Sequence, residues 1–121
     1  MAAGPLNFQR VPLLRAETVD ETTSVAVNVL GYSNLSIYVT GTGTTSSGVV
    51  TIETADYDPA NAADTLYAGT WSPIATVNAS DVSGGQQKVI TISNIAYTWV
   101  RTRISTVIGG GGSVNTTLVA V

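Results

Sequence analysis

The chain has 121 residues, enough for one domain around a single hydrophobic core. Hydrophobic residues make up 44% of it, but charged residues only 11%, under half the roughly 25% usual in soluble proteins. It contains no Cys and no His, which excludes a disulfide framework, a thiolate nucleophile, a His general base and a Cys/His zinc site. The net charge of −3, from eight acids and five bases, argues against a nucleic-acid partner. No apolar run approaches the roughly 18 residues of a membrane helix, so no membrane partner is expected. A secretory signal is not expected either, because Pro5, Asn7, Gln9, Arg10 and Pro12 interrupt the apolar start.

In chain order, residues 1–22 stand apart as an N-terminal arm or edge segment. Leu6, Phe8, Val11, Leu13 and Leu14 are apolar, yet Pro5 and Pro12 forbid a regular central strand. Two placements are open: an extended arm lying on a neighbouring subunit, or an edge strand against the chain's own sheet. Residues 23–121 read as a single β-sandwich domain, because their dominant period is two. Val25, Val27 and Val29 alternate with small or polar residues. So do Leu35, Ile37 and Val39, then Val50 and Ile52, Ile90 and Ile92, Val100, Thr102 and Ile104, and Val114, Thr116 and Leu118. Strands are predicted near 24–30, 35–40, 48–54, 71–77, 87–93, 97–106 and 113–120, with one more near 9–15. Gly-rich or Asp/Asn-rich turns at 31–34, 41–48, 56–64, 78–85 and 109–113 separate them. The fold class is therefore all-β: an antiparallel sandwich, jelly-roll or Ig-like, of about seven or eight strands. Pro59–Leu66 could form a helical turn or two, although a loop is favoured. The glycines at 109–112 are read as a flexible hairpin tip in preference to a close backbone approach.

The inventory for catalysis is thin. Lys88, the only Lys, lies in a strand pattern without a Ser-x-x-Lys motif and reads as a surface residue. No glycine-rich turn opens a helix, so phosphate cradles are absent from the pattern. Asp56, Asp58 and Asp64, with Glu53 just before them, could offer oxygens to Ca²⁺, but they fit no EF-hand spacing and read better as a solvated turn. No enzyme activity, metal or cofactor is expected. Tyr57, Tyr67 and Trp71 surround this acidic loop and make an alternative glycan contact; Trp71 reads better as a cover over one end of the core. If Val100, Thr102 and Ile104 face the core, Trp99, Arg101 and Arg103 share the outer face of one strand. They are either a contact surface or a ladder paired with acids on the next strand. Strands 35–40 and 113–120 carry no charge, which suits a protein whose faces are covered by copies of itself or by a larger partner.

The series Gly48-Val49-Val50-Thr51-Ile52-Glu53, Trp71-Ser72-Pro73-Ile74, Val100-Arg101-Thr102-Arg103-Ile104 and Gly112-Ser113-Val114-Asn115-Thr116-Thr117-Leu118 resembles a small β-sandwich of tailed-bacteriophage virion proteins, most of all the capsid decoration (cement) proteins. The likeness spans roughly residues 35–120 and includes no catalytic residue. It implies a non-enzymatic structural protein on the outer surface of the virion, made in the host cytoplasm, that bridges capsomers and stabilises the capsid. Its partners would be the major capsid protein and copies of itself, a trimer included. The contacts would be Trp99, Arg101 and Arg103, extended by Leu6 and Phe8 of the N-terminal segment. The alternative is a carbohydrate- or receptor-binding module of a phage tail or head fibre, which would use Tyr57, Tyr67 and Trp71.

Overall fold

A computed structural model describes residues 9–20, 25–56, 70–93 and 98–121. Among them are eight strands: β1 (Gln9–Glu17), β2 (Ala26–Asn28), β3 (Asn34–Thr42), β4 (Ser47–Ala55), β5 (Ser72–Asn78), β6 (Gln87–Ser93), β7 (Trp99–Gly109) and β8 (Ser113–Ala120). The first sheet has the order β1-β8-β3-β6 and the second β2-β7-β4-β5, with every neighbouring pair antiparallel. Strand numbers in four of these pairs add up to nine: β1 with β8, β2 with β7, β3 with β6, β4 with β5. One long hairpin folded over on itself produces this order, and it is that of a jelly roll rather than of an Ig-like sandwich.

The alternation read from the sequence sets the inside. Leu35, Ile37, Val39, Val50, Ile52, Val100, Ile104, Val114 and Leu118 all face the core and are essentially fully buried. Burying each such side chain contributes about 1.5–3 kcal/mol. Among the described residues the core cluster is aliphatic throughout; Tyr32 packs against it from the side. Two hydroxyls lie in its middle. Thr102 of β7 and Thr116 of β8 hydrogen-bond to each other at 2.7 Å across the gap between the sheets, so neither is left unsatisfied.

The N-terminal segment supplies, over 9–17, the edge strand β1. Its register shifts between Pro12 and Leu14 and again before Glu17. The first shift puts both Leu13 and Leu14 into the core, as a bulge does. Ala16 lies within the second shift at φ 52°, its N–H donating to Asn115 Oδ1 at 2.8 Å. Leu6 and Phe8 lie outside the described residues, as do Tyr57, Asp58, Asp64, Tyr67 and the stretch 59–66.

One expectation is corrected, and two features of the sequence find their place. The uncharged strands 35–40 and 113–120 are β3 and β8, the two central strands of the first sheet, so their lack of charge leaves no edge unprotected. The actual edges are guarded. β1 carries Pro12, Arg10, Arg15 and two register shifts; β2 is three residues long; β5 has Pro73 beside a bulge; β6 has Lys88 at a core-side register position, paired with Asp81 at 3.5 Å. The Gly109–Gly112 run is a close backbone approach, not a loose tip. Ser46 N–H donates to the Gly109 carbonyl at 2.8 Å and Gly112 N–H to the Thr44 carbonyl at 2.7 Å. Finally, the turn at 78–85 contains a 3₁₀ segment, Ala79–Gly85, whose Ala79 and Val82 are buried. Their spacing of three is the 3₁₀ repeat, and Thr45 Oγ1 donates to the Ala79 carbonyl at 2.7 Å.

Gly41 lies where this segment crosses β3, and a methyl group there would overlap the Val82 carbonyl. Gly41→Ala should therefore destabilise the protein by about 2 kcal/mol or more in urea unfolding. For the inter-sheet hydroxyls, Thr102→Val should cost about 1–2 kcal/mol by orphaning Thr116, and adding Thr116→Val should restore most of it. A double-mutant cycle of unfolding midpoints reads that coupling directly.

Candidate functional site

The outer face of the second sheet is built around one carboxylate. On β4, Val50 and Ile52 point inward, so Thr51 and Glu53 point outward; on β7 the same logic turns Trp99, Arg101 and Arg103 outward beside them. The register places Glu53 opposite Arg101 and Thr51 opposite Arg103. Arg101 Nε donates to Glu53 Oε1 at 2.8 Å, and Arg103 Nη1 stands 3.7 Å from Glu53 Oε2. Although Glu53 lies on an outward face, only 8% of its side chain is exposed, because the two guanidinium groups and their neighbours cover it.

Two further residues close the cluster from outside the strands. After β1 the chain crosses to the second sheet, where Ile108 N–H donates to the Thr18 carbonyl at 2.9 Å. That crossing brings Asp20 to Arg103, whose Nη2 donates to Asp20 Oδ2 at 2.7 Å. The Arg103 pKa is raised, first by this hydrogen bond and then by the charges of Asp20 and Glu53, so the residue is held in its charged form. Trp71, just ahead of β5, lies against the same face with Arg101 Cζ 4.2 Å from its ring centroid. It is thus not a cover over the end of the core. The guanidinium–indole contact on this face is between Arg101 and Trp71; such a contact contributes about 0.5–2 kcal/mol.

Trp99, Arg101 and Arg103 do share one face, as the alternation implies, and both arginines are paired with acids of the same chain. Trp99 is half-buried opposite Asn28 and Ala55. Its Nε1 is the one buried side-chain polar atom with no hydrogen-bond partner among the described residues. One ring face of Trp71 is occupied by Arg101. The reading of a ladder paired with acids on the next strand holds for Glu53 of β4, whereas Asp20 comes from the crossing after β1. Glu53 was legible from the parity of Val50 and Ile52, but Asp20 was not, since nothing local ties it to Arg103.

Asp56 accepts a hydrogen bond from Thr98 Oγ1 at 3.1 Å. No group of three or more His, Cys, Asp or Glu arranged to hold a metal ion occurs among the described residues. No helix there is long and apolar enough to cross a membrane.

The chain is similar in fold to two solved proteins. The SPBc2 prophage-derived protein YomS matches with a TM-score of 0.64 at 12% identity, over 99% of this chain and 97% of that one. The PBSX exported protein XepA matches with a TM-score of 0.59 at 15% identity, over 97% of this chain but 39% of that one. No protein-family profile and no curated protein matches the sequence. At these identities the likeness is one of fold.

The Glu53 cluster should behave as a unit. Arg101→Met leaves a covered carboxylate with only the longer Arg103 contact and should cost about 2 kcal/mol, less than a deeply buried pair because Arg101 is a quarter exposed. Adding Glu53→Gln should recover most of that loss in chemical denaturation, since the uncompensated charge is then gone.

Proposed function

We propose that this chain is a non-enzymatic structural protein of a bacteriophage virion that decorates the capsid and stabilises it by bridging capsomers. The observation that carries this reading is the end-to-end match in fold to a prophage-derived protein, 99% of one chain against 97% of the other. The β7 face supports it physically. Its charges cancel within the chain, two arginines against Glu53 and Asp20, so covering it leaves no bare ion to be stripped of water. Trp and Arg are also the residues most enriched where interfaces concentrate their binding energy. Trp99, Arg101 and Arg103 would meet the major capsid protein, with Leu6 and Phe8 extending the contact and neighbouring copies completing it.

Mixing the purified protein with empty phage capsids and imaging them by electron cryo-microscopy tests this. Regular added density at capsomer junctions, lost or weakened with Trp99→Ala, is the expected outcome. Bare capsids under conditions where the protein is folded would refute the decoration role.

A further inference from the structure

The outer face of the first sheet carries a second, chemically different site. Its side chains fall into cross-strand rungs. Arg10, Val119 and Ser36 form one; Pro12, Thr117, Tyr38 and Val89 the next; Asn115, Thr40 and Gln87 a third. Rungs are roughly 7 Å apart along the strands and strands roughly 5 Å apart across the sheet. Arg10, Tyr38, Thr40, Gln87, Thr117 and Val119 line an open hollow of about 460 Å³ on this face, within the range of about 300–1,000 Å³ typical of small-molecule clefts.

The charge balance of the hollow is one-sided. None of the side chains in those rungs is acidic. Arg10 is exposed and, like Arg15 further along β1, has no ion pair among the described residues, unlike Arg101, Arg103 and Lys88; of the two free arginines only Arg10 lines the hollow. A guanidinium of this kind, in a chain of net charge −3, is a point of attraction for an anion. The rest of the lining sets the kind of anion. A single cation stands at one end of the hollow, and one aromatic ring, three hydroxyls and one carboxamide extend from it across the sheet, so the hollow suits a ligand with one carboxylate and many hydroxyls. A ring can lie on Tyr38 while its hydroxyls exchange hydrogen bonds with Thr40, Thr117 and Gln87. An acidic peptide would call for several cations; only one is present in the lining.

We infer that this hollow binds a carboxylated saccharide, of the uronic-acid class, with Arg10 pairing to the carboxylate. The inference goes beyond the capsid role, since it concerns the free chain and the face opposite the β7 cluster.

Calorimetric titration of the full chain at low ionic strength with D-glucuronate and with D-glucose tests it, the two sugars differing in the carboxylate. Glucuronate should bind about tenfold more tightly or better, the worth of one charge-assisted pair. Arg10→Gln should bring the two sugars level while leaving the urea midpoint unchanged, and Tyr38→Leu should weaken both alike. Equal binding of the two sugars by the unaltered protein would overturn the inference. So would binding of neither, or stronger binding of a polyglutamate peptide than of glucuronate at equal carboxylate concentration.

Discussion

Everything in this molecule depends on closing an aliphatic core from two sides at once. Among the described residues the buried apolar side chains are Val, Ile, Leu and Ala, and either sheet alone would leave half of that surface in water. A sheet cannot be completed from neighbouring segments, because β1 needs β8 and β2 needs β7, the far ends of the chain. The structure is therefore dominated by non-local pairing, in which loop closure precedes most of the stabilisation. The hydroxyl pair of Thr102 and Thr116 fits this requirement. Each group is satisfied only when both sheets are in place, so the pair favours the one alignment in which they meet.

Among the described residues no aromatic side chain belongs to the buried core, both tryptophans lie at the outer face of the second sheet, and the two outer faces have diverged. That of the second sheet gathers most of the protein's paired charge around a covered carboxylate. Trp71 stacks under Arg101, and Asp20 arrives from the crossing between sheets. That of the first sheet is nearly uncharged, and Arg10 and Arg15 of its edge strand β1 have no ion pair among the described residues. A jelly roll has these two broad surfaces to offer. One that is electrically closed suits a protein partner, and one with an unused guanidinium beside a ring and hydroxyls suits a small polar ligand. Scarcity of charge thus has a different meaning from the one composition gives it. It reflects central strands sandwiched between neighbours, while the edges use proline, bulges, brevity and one core-side lysine to discourage further pairing.

The sequence by itself determined the strands and their faces. The period-two runs at 35–39, 50–52, 100–104 and 114–118 mark the buried positions, and the same parity turns Trp99, Arg101 and Arg103 outward together. Pro12 excluded a central strand for the first segment and left two placements open, an arm on a neighbour or an edge strand, of which residues 9–17 take the edge. Period two says which face a residue takes and nothing about which strand lies beside it. Tertiary structure alone decided that β3 and β8 are central, that the glycines at 109–112 accept a crossing backbone, and that Glu53 is enclosed by two arginines. It also decided that Asp20 reaches Arg103, and that Arg10 shares a hollow with Tyr38 and Gln87. Each of these joins residues far apart in the chain. Their meeting depends on how the long hairpin folds over, which the burial of the whole core selects and no local pattern encodes.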